Sequence, residues 1–222
     1  MNWGDPSVQR AELTVFVTDI LNSTPVLTRC TPHEARVFLH EFSSLTLDAL
    51  DRVCDHREQF RIDTFVGDGF LTFISELLPQ DPYIHGPARA AAAAIRMRDE
   101  FDVLCTRRFG NMSADAQQMK LVSAISFGTV YYGQFTSPAI DRPTGVLSTV
   151  VQTFRMAKLR RHASLSRPDY ILMCDRSHQE IENLRSAGML RQYPDLEAST
   201  SQPIVLSDLQ GLAGERLCFE VR

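Results

Sequence analysis

The spacing of apolar and polar residues predicts the elements in the first third of the chain. Residues 13–19 alternate, with many β-branched or aromatic types, and predict a strand. A helix is predicted to begin behind Thr31, in a Thr-Pro-His-Glu capping pattern, and apolar residues recur at three-to-four spacing until about residue 54. Strands over 58–66 and 70–75 then flank a Gly-Asp-Gly turn, which predicts a hairpin.

The remainder of the chain switches repeatedly between helical and strand patterns. Helices are predicted over 87–108, 147–163 and 175–187, and strands over 119–127, 129–135, 170–174 and 216–221. Gly128 is predicted to turn a second hairpin, whereas 191–211 has a mixed pattern. This order favours an α/β (α+β) fold with a ferredoxin-like βαββαβ core and extensions. We predict one domain over 1–222, which begins with an N-terminal arm over 1–11.

Composition narrows the classes of function. A net charge of −4 argues against a general nucleic-acid-binding protein, and no apolar run is long enough to span a membrane. The chain does not begin with a basic segment followed by an apolar run, as a signal peptide does. Its five cysteines include no Cys-x-x-Cys pair, which favours reduced thiols over a disulfide framework or a zinc site. We therefore expect a soluble, cytoplasmic protein with neither a nucleic-acid nor a membrane partner.

Two aspartates stand where predicted strands end. Asp19 closes the strand pattern LTVFVTD, and Asp68 lies in the turn of FVGDGF. A single aspartate at a strand end is more often a turn or cap residue. Magnesium, however, is usually held by one or two carboxylates together with substrate phosphates. A pair from neighbouring strand ends therefore favours a site for Mg²⁺ and a nucleoside triphosphate.

Five segments in order resemble the class III nucleotidyl cyclases, over roughly residues 12–221. They are TVFVTDILNST, FVGDGFLTFI, SAISFGTVYYGQF, YILMCDRSHQEI and LQGLAGERLCFEV. The resemblance implies a cyclase catalytic domain with two Mg²⁺ or Mn²⁺ ions, held by Asp19, Asp68 and the backbone carbonyl of Ile20. It also implies a head-to-tail homodimer with sites at the interface, where the other subunit contributes Arg155.

The residues after Asp19 suit the chemistry of cyclisation. The ribose 3′-hydroxyl attacks the α-phosphorus in line and pyrophosphate leaves; two metal ions can activate the attacking oxygen and neutralise the leaving oxygens. The turn with Asn22, Ser23 and Thr24 is predicted to open a short helix whose free amides bind the β- and γ-phosphates.

The transition-state residues depart from the family pattern. In the family, an arginine follows an asparagine by four residues and lies on the same helix face. Arg155 fits the arginine, but Val151 occupies the asparagine position. There are two alternatives to a missing asparagine: Gln152 or Ser148 takes its role, or the helix is displaced by one residue.

The base-reading positions depart further. Adenylate cyclases of the family carry lysine, and guanylate cyclases glutamate, where this chain has Thr64; Asp141 is the candidate for the second base-reading residue. A site built to hydrogen-bond one base rejects others strongly, so the missing purine set favours a different base. The chain in this respect resembles the pyrimidine cyclases of bacterial Pycsar anti-phage systems. That resemblance implies conversion of UTP to cyclic UMP, which acts on a separate effector.

Other interpretations stay open at this stage. A cytidylate cyclase, an adenylate cyclase with substituted base contacts, and a degenerate domain that only binds nucleotide or dimerises all fit parts of the pattern. Val151 favours the degenerate domain, whereas the intact pair of Asp19 and Asp68 opposes it.

Overall fold

One mixed β-sheet carries the helices and positions both aspartates. The computed structural model describes residues 3, 7–66, 68–76, 82–110, 118–133, 144–146, 148–159, 165–206 and 215–222. The strands in these ranges are β1 (Gln9–Leu21), β2 (Phe60–Val66), β3 (Gly69–Ile74), β4 (Lys120–Gly133), β5 (Thr144–Val146), β6 (Ile171–Cys174), β7 (Ser201–Leu206) and β8 (Arg216–Val221). The helices are α1 (Ser23–Leu27), α2 (Pro32–Val53), α3 (Gly86–Phe109), α4 (Ser148–Ala157), α5 (Asp175–Ser186) and α6 (Pro194–Glu197).

The strand order places β1 in the interior of the sheet, between β3 and the central strand β4. The order is β2-β3-β1-β4-β6-β8-β7, with β5 also pairing with β4. The β4–β6 pair is parallel, and the other pairs are antiparallel. The succession β1-α2-β2-β3-α3-β4 is the predicted ferredoxin-like βαββαβ core, which the structure confirms, and the later strands extend it.

The predicted hairpin around Gly128 is wrong, because β4 continues straight through this residue. An unbroken antiparallel ladder runs from Gln9 opposite Tyr132 to Leu21 opposite Lys120, and Gly128 lies opposite Leu13. Glycine inside a strand often marks a place where another group approaches the backbone closely. A Cβ at Gly128 would lie 2.8 Å from Thr149 Oγ1, so this glycine makes room for α4.

The two faces of the sheet have separate apolar cores. On the helical face, α2 and α3 pack through aromatic side chains, with the Phe42 and Phe101 ring centroids 5.6 Å apart. On the opposite face, here called the α4 face, Val15 and Val17 of β1 lie in one cluster with Val150 of α4. Side chains alternate along a strand, so Asp19 has the same parity as Val15 and Val17. The sheet therefore directs Asp19 towards the α4 face.

The N-terminal arm packs on the α4 face through Trp3. The Trp3 ring meets Tyr132 edge-on at 5.1 Å between centroids, and Tyr132 in turn meets Phe73 at 5.4 Å. The Trp3 indole N–H also donates a 2.7 Å hydrogen bond to the Glu58 carbonyl. β1 begins at Gln9, inside the 1–11 segment predicted as an arm.

Other element bounds differ at the ends. The helix predicted over 147–163 is α4, which ends at Ala157; residues 158–159 are not helical, and 160–164 lie outside the described residues. The mixed segment 191–211 contains α6 and the edge strand β7, a strand that its proline and polar residues conceal from pattern analysis. Within the described ranges, no helix is both long and apolar enough to cross a bilayer.

The structure contains the predicted capping box at the start of α2, and its contribution to stability can be measured. The Thr31 hydroxyl accepts a hydrogen bond from the Glu34 amide at 3.2 Å, and the Thr31 amide donates to Glu34 Oε2 at 2.8 Å. Thr31→Ala removes the cap and is expected to lower the free energy of unfolding by about 1 kcal/mol, measured by urea denaturation. Ser44→Ala on the same helix is the control. Its exposed hydroxyl bonds back to the His40 carbonyl, so its removal is expected to have little effect. Equal losses in both variants would contradict the capping assignment.

Candidate active site

Asp19 and Asp68 lie at the same edge of the sheet, on neighbouring strands. In the β1–β3 ladder Thr18 pairs with Phe70, and the Phe70 amide donates to Thr18 Oγ1 at 3.3 Å. Asp19 is the next residue of β1, and Asp68 comes two residues before Phe70. The fold therefore brings the two sequence-predicted carboxylates to adjacent strand ends.

Gly69 allows the hairpin turn to lie directly against β1. A Cβ at this position would be 2.0 Å from the Thr18 carbonyl oxygen and 3.1 Å from the Asp19 Cα. Side chains do not approach backbone that closely, so this position accommodates only glycine without a backbone shift. Gly69 thus holds Asp68 beside Asp19.

Asp68 Oδ2 is buried and accepts no hydrogen bond from the described residues. Buried polar atoms are normally paired, and a buried unpaired carboxylate oxygen is especially unfavourable. In the ranges that the structure describes, no group of three or more His, Cys, Asp or Glu side chains gathers as a full metal cage. Two carboxylates and the Ile20 carbonyl instead suit a hard ion such as Mg²⁺ or Mn²⁺, whose remaining ligands come from phosphate and water.

The segment after Asp19 turns sharply into α1. The Ile20 side chain is buried on the helical face, so the residue's polar contribution is its backbone. Asn22 has a left-handed backbone (φ 58°), which asparagine tolerates, and its Nδ2 donates to the Gln118 carbonyl at 3.0 Å instead of capping α1. Ser23 is buried and Thr24 is exposed. Asn22 therefore shapes the turn, and phosphate binding by the first amides of α1 stays a prediction.

Arg155 belongs to a different element, α4, which packs on β4 and β1. Its Nη1 is buried and has no hydrogen-bond acceptor in the described part of the chain. One helical turn earlier, Val151 is 42% exposed and offers no polar group. Ser148 is exposed and Gln152 is half-buried, so either can supply the polar group that Val151 lacks.

The base-reading candidates are described only in part. Thr64 pairs with Leu71 through the backbone, while its side chain and Asp141 lie outside what the structure describes. Sequence reasoning missed Asp63, which is 9% exposed at a register irregularity between Ile62 and Thr64. A β-bulge adds a residue to one strand and changes the direction of the neighbouring side chains. A count of residues back from the Gly-Asp-Gly turn therefore does not identify which side chain of β2 faces the α4 face. In the sequence Asp63 follows Arg61 on the polar phase of the alternation, so its residue type did not mark it out.

Asp63 lies near a buried tyrosine of the α4 face. Burial raises the pKa of Tyr132 to about 12; the Arg61 guanidinium opposes this pKa shift and the Asp63 carboxylate adds to it. The Tyr132 hydroxyl and Arg61 Nε are both buried, and the Arg61 guanidinium lies close enough to act on the tyrosine hydroxyl. These groups make the β2 side of the α4 face more polar than its valines and leucines suggest.

The fold is that of known nucleotide cyclase domains. The structure superimposes on the adenylyl cyclase CyaB from P. aeruginosa with a TM-score of 0.75 and 18% identity, covering 97% of this chain and 96% of that one. It superimposes on the guanylyl cyclase Cya2 with a TM-score of 0.70 and 18% identity (96% and 93% covered). The guanylate cyclase domain of RhGC from Catenaria anguillulae, solved in complex with GTP, superimposes with a TM-score of 0.66 and 18% identity, covering 96% of this chain and 98% of that one. No protein-family profile and no curated protein sequence matches the chain.

Proposed function

We propose that the protein is a pyrimidine nucleotide cyclase that converts UTP to 3′,5′-cyclic UMP and pyrophosphate. The observation that carries this proposal is the position of Asp19 and Asp68 on adjacent strand ends, with Asp68 Oδ2 buried and unpaired by the described residues. The fold shared with adenylyl and guanylyl cyclases supports the reaction class. A site without bound ligand has no evident use for such a carboxylate.

The residues have separate roles in the proposed reaction. Mg²⁺ or Mn²⁺ bound by Asp19, Asp68 and the Ile20 carbonyl would activate the attacking oxygen and neutralise the leaving oxygens. The 3′-oxygen forms a bond to the α-phosphorus, and the bond from that phosphorus to the bridging oxygen breaks, so pyrophosphate leaves. The turn of Asn22, Ser23 and Thr24 presents the first amides of α1 to the departing phosphates.

Arg155 is proposed to act across a head-to-tail homodimer. Its guanidinium, whose Nη1 has no acceptor among the described residues, would donate to the charge that develops on the α-phosphate, while the aspartates belong to the other subunit. A two-fold dimer then contains two equivalent sites. Dimer formation on the α4 face is consistent with the position of Asp19 and α4 on that same face.

The choice of UTP rests on what the base-reading positions lack. Thr64 and Asp141 do not reproduce the lysine–aspartate pair that the family uses for adenine, so we assign them to a pyrimidine. By resemblance to the Pycsar cyclases, the product would act on a separate effector in the cytoplasm during anti-phage defence. Exposed Val151 favours one second candidate, a degenerate domain that binds nucleotide without turnover.

The test of the proposed function is incubation of the purified protein with ATP, GTP, CTP or UTP and Mn²⁺ or Mg²⁺. Products are resolved by mass, and Asp68→Asn serves as the inactive control. Cyclic UMP that is absent from the control supports the proposal in full. Cyclic CMP or a cyclic purine supports the cyclase and rejects uridine specificity. Nucleotide binding without product from a folded dimer favours the degenerate domain.

Replacement of Arg155 tests its role and the dimer together. Arg155→Ala is expected to lower kcat by about 100-fold with little change in thermal midpoint, because it removes a donor to the transition state. Exposed Arg185 on α5, replaced by alanine, is the control and should retain activity. Mixing Arg155→Ala with Asp68→Asn subunits should restore about a quarter of wild-type activity, since half of the dimers would contain one intact site. No recovery on mixing, with subunit exchange confirmed, would contradict sites shared between subunits.

A further inference from the structure

Two cysteines face each other across neighbouring strands near the end of β6. Cys174 of β6 is the register partner of Cys218 of β8 in an antiparallel pair, and both side chains belong to the apolar cluster of the α4 face. Residues directly opposite each other in such a pair have Cα atoms about 4.5 to 5.5 Å apart, within the range that a disulfide bridges. Both cysteines are free thiols.

The two thiols differ in access. Cys174 is 6% exposed and lines a cleft of about 710 Å³ between α4, the start of α5 and the start of β8, whereas Cys218 is completely buried behind it. The Cys174 sulfur accepts a hydrogen bond from the Ser177 amide at 3.5 Å, as the N-cap of α5, and lies 3.3 Å from the Ser177 hydroxyl. A small oxidant in the cleft therefore meets Cys174 first.

The other three cysteines lack this arrangement. Cys54 and Cys105 are buried on the helical face and do not line the cleft, and burial raises the pKa of each thiol to about 12. Cys30 is half-exposed, and burial together with the Glu34 carboxylate raises its thiol pKa. None of the three is the register partner of another cysteine in the described strand ladders.

We propose that Cys174 and Cys218 form a peroxide-reactive dithiol, a modification site that joins β6 to β8 by a reversible disulfide. The Cys174 sulfur attacks one peroxide oxygen, the O–O bond breaks, and the Cys174 proton leaves with the second oxygen as water. The Cys218 sulfur then attacks the resulting sulfenic sulfur, and its proton leaves with the sulfenic hydroxyl as a second water. Two thiols are oxidised by two electrons, and one hydrogen peroxide is reduced to two waters.

The bridge would act on the walls of the cleft. Cys174 is the N-cap of α5, and Arg176 in its first turn lies over the Phe127 ring at 4.6 Å and pairs with Glu12 at 2.7 Å. Burial is the main cause that raises the pKa of the Cys218 thiol to about 12, and the charge of Cys174 is the next. The attack of the Cys218 sulfur on the sulfenic acid is therefore the slower of the two steps. Oxidation thus fixes the end of β6 to β8 and constrains the start of α5.

The experiment treats fully reduced protein with hydrogen peroxide, blocks remaining thiols, and maps disulfide-linked peptides by mass. The expected result is a linked Cys174–Cys218 peptide, loss of two of the five titratable thiols, and reversal by dithiothreitol. The bridge should also raise the thermal midpoint. In Cys218→Ser, a sulfenic acid at Cys174 should be captured by dimedone; Cys105→Ser, also buried, is the matched control and should still form the bridge.

Oxidation that begins at Cys30, or protein that keeps all five thiols under conditions that oxidise an unfolded control, would overturn the proposal. The mapping of wild-type protein alone decides this, so a variant that fails to fold leaves the test intact. None of these measurements depends on nucleotide turnover, and their failure is therefore separate from failure of the proposed cyclase.

Discussion

Asp68→Asn is expected to lower cyclase turnover by about 1,000-fold or more without unfolding the protein. The carboxylate charge is lost from the proposed metal site, and a loss of about 4 kcal/mol in transition-state stabilisation corresponds to a thousandfold change in rate. Asp68 is half-buried and its Oδ2 has no hydrogen-bond partner among the described residues, so the amide breaks no described hydrogen bond of that oxygen. The metal-free variant should therefore be about as stable as the wild type.

Activity and stability together make this test specific. Turnover is measured from each nucleotide with Mn²⁺, and stability by thermal unfolding with and without Mn²⁺ and a non-reactive nucleotide analogue. The stabilisation by metal and nucleotide should disappear in the variant. Asp99→Asn is the matched control, since this exposed carboxylate of α3 pairs, among the described residues, with its neighbour Arg98. Turnover within tenfold of wild type in Asp68→Asn would remove Asp68 from the metal site.

Gly69→Ala is expected to reduce both stability and activity, through a single methyl group. The new Cβ would meet the Thr18 carbonyl oxygen at 2.0 Å, so the hairpin and the end of β1 must separate. Overpacking of this kind costs about 2 kcal/mol. The separation moves Asp68 relative to Asp19, and a displacement of about 1 Å in a catalytic group lowers turnover by about 100-fold.

Gly188→Ala is the control for Gly69→Ala, because it introduces backbone strain outside the hairpin that carries Asp68. Gly188 follows α5 with φ +70°, and apart from its chain neighbours no described residue has an atom within 4 Å of a Cβ placed there. Alanine there should cost about 1 kcal/mol from the left-handed backbone alone. Its turnover per folded molecule should remain that of the wild type. If both glycine variants have the same kcat, the close approach at Gly69 does not position the aspartates.

Local patterns predicted α2 and the β2–β3 hairpin well, because their signals are short-range. The Thr31 cap and the three-to-four apolar spacing predicted a helix that the structure places at Pro32–Val53, and the Gly-Asp-Gly turn connects strands close to the predicted ones. The same reasoning failed at Gly128, where a glycine in a strand signals either a turn or a close approach. Thr149, which decides between them, comes from a distant part of the chain.

The sequence by itself supplied the candidates for chemistry: a strand-end aspartate pair, an arginine in a helical pattern and a candidate base-reading position without the purine residues. These depend on residue type and on spacing along one element, which local periodicity records. Only the tertiary structure decided that Gly69 lies directly against the backbone of Thr18 and Asp19, and that Asp68 Oδ2 is left without a described partner. It also decided that β4 is one strand and that Cys174 opposes Cys218. Strand register and burial arise from contacts between residues far apart in sequence, and no local pattern encodes them.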